Sequence, residues 1–293
     1  MSFSLIREGG AQVEQVALVA RWFSLALLTG ATVLYAYQFL VKRPAISWWA
    51  RFFTGAGLLT LTASIGLTST VTDGTILTGP RNQLILTAWA FVVLYFVVEH
   101  LIKLKVYGTV LVPVSVVVLV VAELVADTTM TLSPEALGQL DNWRVGIHVA
   151  FIVFANAGFT IGGLVSALYL VQGAQLKNHR TNVIFRRLPS LGQTQNLARR
   201  SIVLAFPAYT AGILLGTLRA IETDVSGWWA DPRVMLSGLV WMVFGGYLIG
   251  HYRRGISNTT AAWIAIGGTA AVGALSIAAR TLPSGFHIFG LGG

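Results

Sequence analysis

Long apolar stretches recur along this chain and constrain its fold more than any other feature. Each is about 20 residues long, the length that an α-helix needs to cross the hydrocarbon core of a bilayer. We place eight of them near 16–41, 49–71, 82–102, 106–126, 145–173, 201–221, 234–252 and 260–279. Only 11% of the 293 residues are charged, against roughly 25% in ordinary soluble domains. The sequence therefore predicts an all-α polytopic membrane protein with about eight transmembrane helices.

The distribution of charge predicts the topology. Most Lys and Arg residues fall in alternate connections, within 42–51, 103–105, 177–200 and 253–254. Short loops rich in these residues stay on the cytoplasmic side of a membrane. Nearly all the acidic residues fall on or near the other side, and Glu99 is the exception. We therefore expect both termini on the outer side of the inner (cytoplasmic) membrane, and we attribute the net charge of +9 to sidedness and not to nucleic-acid binding.

The chain carries no recognisable linker and no cysteine. We expect a single membrane domain over 1–293, with four helices in 1–144 and four in 145–293. Without cysteine, this chain cannot form a disulfide or attach a c-type haem to itself. Motifs of common hydrolases and metalloproteases do not occur either. We therefore expect a subunit that works with partners and not a stand-alone enzyme.

Two histidines and a tryptophan pair are predicted to meet at the outer face. His148 begins the fifth apolar stretch, and His287 follows the eighth. The connection after the sixth stretch carries Trp228 and Trp229, followed by Asp231. Two imidazoles from different helices with an aromatic shelf between them suit a planar, apolar, metal-centred ligand. Paired indoles also commonly anchor a helix end at the membrane surface, which is the alternative interpretation of the tryptophans.

Two further histidines, His100 and His251, close the third and seventh stretches at the predicted inner surface. They are candidate ligands of a second metal-centred group of this kind, at the inner surface. The alternative is that both lie at the wet interface, since Glu99 and Arg253 stand beside them.

Three segments carry a resemblance to a known family. The loop "GTLRAIETDVSGWWADPRV" resembles the tryptophan-rich outer loop, approximately W-G-x-x-W-x-W-D-P-K-E, of the haem-handling cytochrome c biogenesis proteins of the CcsA type, including the HemX-like branch. The matching positions are Gly216, Ala220, Glu222, Ser226, Trp228, Asp231 and Pro232, with Arg233 for the lysine. The tail "SGFHIFG" and the stretch "IHVAFIVFANAGFTIGGLVSALYLVQ" are similar to the two histidine segments of the family. The resemblance covers about 145–293.

The resemblance implies an outer haem b with His148 and His287 as the ligands of its iron. Trp228, Trp229, Asp231 and Arg233 would surround this haem. Arginines at the predicted outer face suit its carboxylates; they are Arg81, Arg144, Arg219 and Arg233. The family passes haem to apocytochrome c with a Ccs1/ResB-like partner membrane protein.

The sequence also departs from the family pattern. Tryptophans of the family loop are replaced by Arg219, Asp224 and Ala230, and its glutamate by Val234. Two alternatives to haem holding or delivery therefore stay open. One is a b-type haem subunit of a larger electron-transfer complex, although no helix carries two histidines about thirteen residues apart. The other is a haem-free scaffold or regulatory homologue.

Overall fold

The computed structural model describes residues 2–41, 43–71, 80–102, 108–124, 143–179, 188–223, 227–253 and 255–281. Within these ranges the chain forms eight long α-helices and one short 3₁₀-helix. The helices are α1 (Ser2–Val41), α2 (Pro44–Val71), α3 (Pro80–Ile102), α4 (Gly108–Leu124), α5 (Trp143–Lys177), α6 (Leu191–Glu222), α7 (Pro232–Tyr252) and α8 (Asn258–Thr281). The 3₁₀-helix, Trp228–Ala230, lies between α6 and α7.

The prediction of an all-α membrane protein with about eight helices is confirmed. Among the residues that the structure describes, six helices are long and apolar enough to cross a bilayer, over Gly10–Val41, Ala45–Val71, Arg81–His100, Trp143–Lys177, Leu191–Glu222 and Pro232–Tyr252. The apolar helix α4 is shorter, with 17 residues. Each long helix overlaps one predicted stretch. The orientation of the termini and the single membrane domain stay predictions.

At α6 the helix begins ten residues before the apolar stretch predicted at 201. Ser190 and Gln193 form a capping box there, in which each side chain accepts a hydrogen bond from the backbone N–H of the other. Such a box satisfies N–H groups that the first helical turn leaves unpaired. The helix therefore starts in a polar segment that apolar content alone does not reveal.

The chain divides into two compact units, Met1–Asp141 and Asn142–Gly293. In the first unit α1 packs along α2, and α4 packs against both α1 and α3. One ion-pair cluster of this unit is largely shielded from solvent: Glu123 of α4 is paired with Arg21 of α1 and, at 2.5 Å, with Arg81 of α3. This ion-pair triad joins three helices through one carboxylate.

Glu99, the acidic residue that departs from the charge pattern, is also paired. Its Oε1 lies 3.3 Å from Arg51 Nε of α2, and its Oε2 accepts a hydrogen bond of 2.7 Å from the Tyr95 hydroxyl. That hydroxyl is in turn bonded to the hydroxyl of Tyr35 on α1. A buried carboxylate is tolerated when it is paired and hydrogen-bonded in this way.

In the second unit α5 packs along α6, and α8 packs against α5 and α7. The rings of Phe159 and Phe244 are stacked with centroids 3.7 Å apart, and Tyr209 meets Phe159 edge-on. Close contact between α5 and α6 requires Gly158, because a Cβ there would lie 2.8 Å from the Ala205 Cβ. Helices in lipid gain dispersion energy by such close backbone approach. This tight pair of helices carries the candidate site.

Candidate functional site

His148 lies in the second turn of α5 and is bonded to the backbone of α6. Its Nδ1 is 2.6 Å from the carbonyl oxygen of Gly212. A carbonyl can only accept, so Nδ1 carries the proton and donates it. In a neutral imidazole the lone pair is then on Nε2. Metal-binding histidines commonly have this arrangement, in which one nitrogen donates to a backbone carbonyl and the other binds the metal.

Gly216, one turn further along α6, sets the position of the His148 ring. A Cβ at Gly216 would lie 2.8 Å from His148 Cε1 and 3.0 Å from Nδ1. The imidazole is therefore held between the Gly212 carbonyl and the bare backbone at Gly216. Neither glycine was predicted from the sequence to have this role. Their spacing of four residues, which places both on one face of α6, is the signal that indicates a close contact.

An ion-pair cluster lies about one helical turn from His148, at the N-terminal end of α5 and the C-terminal end of α6. Arg144 of α5 is paired through Nη1 with Oε1 of Glu222 on α6. Arg219 Nη1 lies 3.7 Å from the other oxygen of the same carboxylate. The Arg144 guanidinium also lies over the Trp143 ring, 5.7 Å from its centroid. Two arginines thus share one glutamate close to the imidazole.

The tryptophan pair lies in the 3₁₀-helix. Gly227 begins it with φ of 75°, a left-handed conformation that glycine adopts without steric cost. Trp228 is half-buried, whereas 69% of Trp229 is exposed. The short helix contacts α7, and an exposed indole next to a membrane-spanning helix fits both the predicted aromatic shelf and a membrane-surface anchor.

Asp231 and Arg233 have local structural roles in the same segment. The buried Asp231 caps α7, because its Oδ1 accepts a hydrogen bond of 2.7 Å from the Arg233 N–H. Pro232 follows at the first helical position, where its missing N–H is no loss. The side chain of Arg233 is half-buried. A cofactor role for either residue stays a prediction.

The second predicted outer ligand, His287, lies outside the described residues. The two predicted inner ligands belong to different units: His100 is exposed in the last turn of α3, and His251 is half-buried in the last turn of α7. The His251 ring is nearly parallel to that of Tyr247, with centroids 6.0 Å apart. An inner haem at these histidines stays a prediction.

Comparison with known proteins gives both a family and named relatives. A family model described as "Cytochrome C assembly protein" matches residues 81–285. This chain is 24% identical to the "Cytochrome c biogenesis protein CcsA" of Pyropia yezoensis over 316 residues, covering 91% of this chain and 99% of that protein. It is also 33% identical to "Protein HemX" of Brevibacillus brevis over 106 residues, covering 36% of this chain and 39% of that protein. The family match takes in His148 and the tryptophan pair and ends two residues before His287.

Proposed function

Because the chain belongs to the cytochrome c assembly protein family, we propose that it binds haem and holds or delivers it at the outer membrane face for cytochrome c maturation. This chain is a multi-pass membrane protein, and its family supports a role in cytochrome c maturation. The proposal adds three things to this role: that the chain binds haem, which residues hold the haem, and on which side of the membrane the haem lies. The bond from His148 Nδ1 to the Gly212 carbonyl is the observation that carries them.

The residues present at the site fit a haem iron. The hydrogen bond fixes the imidazole tautomer and orientation, so that Nε2 is the nitrogen suited to the metal. His287 is the proposed second ligand, which makes the haem a bis-histidine haem b. Such a group supplies the iron porphyrin that a cytochrome c carries on its cysteine thiols. This chain has no cysteine and therefore acts as a holder, not as the final acceptor.

The tryptophan segment provides the proposed contacts around the porphyrin. The exposed indole of Trp229 and the half-buried indole of Trp228 offer flat apolar surface to a planar ligand. Asp231 fixes the start of α7 and so the position of this segment. Arg233 lies in the first turn of α7, beside this segment. Its guanidinium suits a porphyrin carboxylate.

The proposed setting is the inner (cytoplasmic) membrane, with the haem site facing the periplasm or cell exterior. The charge distribution supports this sidedness, since the basic connections define the cytoplasmic side. The proposed partners are membrane lipid, a Ccs1/ResB-like membrane protein and apocytochrome c. The Pyropia yezoensis relative is named as a cytochrome c biogenesis protein, which supports the last of these.

Gly216→Ala is expected to weaken haem binding about 10-fold to 100-fold, the usual cost of disturbing the contacts that orient a metal-binding histidine. The new methyl group would displace the ring from the Gly212 carbonyl. Haemin titration of the purified variant measures the effect. Gly146→Ala is the matched control, because a Cβ at this α5 position meets nothing within 4 Å. Equal haem affinity in the two variants would contradict the proposed role of His148.

Haem extraction from sided membrane vesicles tests the proposed function. The full chain is loaded with haem in right-side-out and in inverted vesicles, and apomyoglobin is added outside as a haem acceptor that does not cross the membrane. We expect myoglobin to form much faster with right-side-out vesicles. Faster extraction from inverted vesicles, or no haem retained in either preparation, would overturn the proposal.

A further inference from the structure

The ion-pair cluster of Arg144, Glu222 and Arg219 has the composition of a carboxylate-binding site that already holds a carboxylate. Arg144 meets one oxygen of Glu222, and Arg219 lies 3.7 Å from the other. Guanidinium groups are the side chains best suited to carboxylates, because their N–H donors match the two oxygens. Here the carboxylate comes from the chain itself.

The cluster is accessible to solvent. The side chains of Arg144, Arg219 and Glu222 are 42%, 24% and 41% exposed. Ion pairs between exposed groups are weak, because water screens the charges and long side chains lose conformational freedom. In the first unit, by contrast, the side chain of Glu123 is only 9% exposed. The carboxylate of a bound ligand can therefore reach these arginines and compete with Glu222. The ion pairs of Glu123 are shielded from such a competitor.

The cluster is also close to the proposed iron ligand. Arg144 precedes His148 by four residues on α5, which places it on the same helix face and about 6 Å along the axis. On α6, Arg219 follows Gly216, the residue against which the His148 ring packs, by three residues. Both arginines therefore lie about one turn beyond the imidazole, on the two helices that hold it.

From this geometry we propose that Arg144 and Arg219 bind the carboxylates of the porphyrin, and that Glu222 competes with the porphyrin for them. The inference rests on the proposed function, since haem is the ligand with both an iron for His148 and carboxylates for the arginines. Arg144 and Arg219 form a binding subsite for the porphyrin carboxylates, and Glu222 lowers the affinity of the chain for the porphyrin. A role in carboxylate binding also explains why arginine stands at position 219, where the family loop has tryptophan.

Removal of the competing carboxylate is therefore expected to tighten binding. Glu222→Gln keeps the size of the side chain and removes its charge, so both guanidinium groups become available to the porphyrin. We expect the dissociation constant for protoporphyrin IX to fall about twofold to fivefold, in keeping with the strength of an exposed ion pair. The dimethyl ester of protoporphyrin IX has no free carboxylate, and its dissociation constant is expected to stay unchanged.

Fluorescence titration of the purified full chain with these two iron-free porphyrins tests the inference. The ratio of the two dissociation constants is compared between variants, which cancels partition into detergent. Glu14→Gln removes the same charge from an exposed site on α1 and is expected to leave the ratio unchanged. In the double variant Arg144→Leu, Arg219→Leu, the preference for the free acid is expected to disappear, and adding Glu222→Gln should then have no effect.

A Glu222→Gln variant that binds the acid no tighter, or that binds acid and ester equally more tightly, overturns the subsite. The same gain in Glu14→Gln also overturns it, because overall charge would then be the cause. Failure to bind either porphyrin contradicts the proposed function as well. A preference for the acid in a chain whose haem content is unaffected by His148→Ala supports the subsite and rejects the iron ligand.

Discussion

His148→Ala is expected to lower haem affinity by about 100-fold or more and to remove the bis-histidine absorbance spectrum. Loss of the residues that merely orient a ligand costs 10-fold to 100-fold, so loss of the ligand itself should cost at least as much. The backbone of α5 and α6 should be unaffected, because alanine is a good helix former and the Gly212 carbonyl is already bonded within its helix. Haem content per chain after purification, and haemin titration, measure the effect.

A matched histidine variant separates iron ligation from a general effect of losing an imidazole. His179 follows α5 at its other end, is exposed and has a positive φ of 53°. Asparagine tolerates this left-handed conformation, so His179→Asn is a control with little expected strain. We expect it to bind haem like the unaltered chain. Equal haem content in the His148 and His179 variants would reject His148 as a ligand.

Glu123→Ala is expected to destabilise the first unit by about 3–5 kcal/mol, the usual cost of removing one partner from a buried ion pair. Glu123 neutralises Arg21 and Arg81, whose side chains are only 11% and 18% exposed. Alanine would leave both guanidinium groups without this carboxylate in a setting largely shielded from water. The expected result is a lower unfolding midpoint in detergent and a smaller yield of monodisperse protein.

The control for this stability prediction is Glu14→Ala, which removes an exposed carboxylate from α1. Surface substitutions of this kind usually change stability by less than about 0.5 kcal/mol. An unfolding midpoint for Glu123→Ala as high as that of Glu14→Ala would show that the triad contributes nothing to stability. Replacement of all three triad residues by apolar residues is expected to recover part of the loss, since the cost comes from uncompensated charge.

The helices follow from the sequence because an apolar stretch of bilayer length has few alternatives to a spanning helix. Their polar ends do not follow in the same way. At α6 the capping box of Ser190 and Gln193 starts the helix before its apolar part. At α7 the apolar stretch predicted from 234 begins only two residues after the observed start at Pro232, which Asp231 caps.

The family also follows from the sequence: the tryptophan loop and the two histidine segments predicted it, and the comparisons confirm it. The contacts of the site do not. The bond from His148 to the Gly212 carbonyl joins residues 64 positions apart, and the pair of Arg21 with Glu123 joins residues 102 apart. One sequence carries no signal for such pairings beyond a polar group in an apolar stretch, which is a reason to expect some partner but not a particular one.

The most direct test of the account is the absorbance spectrum of the purified full chain, oxidised and then reduced. We expect a Soret band and the sharp visible bands of a low-spin, bis-histidine haem b, at about one haem per chain for the outer site. Both should be lost when His148 and His287 are replaced together by alanine. Absence of Soret absorbance in the unaltered chain after haemin reconstitution, or full retention of haem in the double variant, would contradict haem holding at this site.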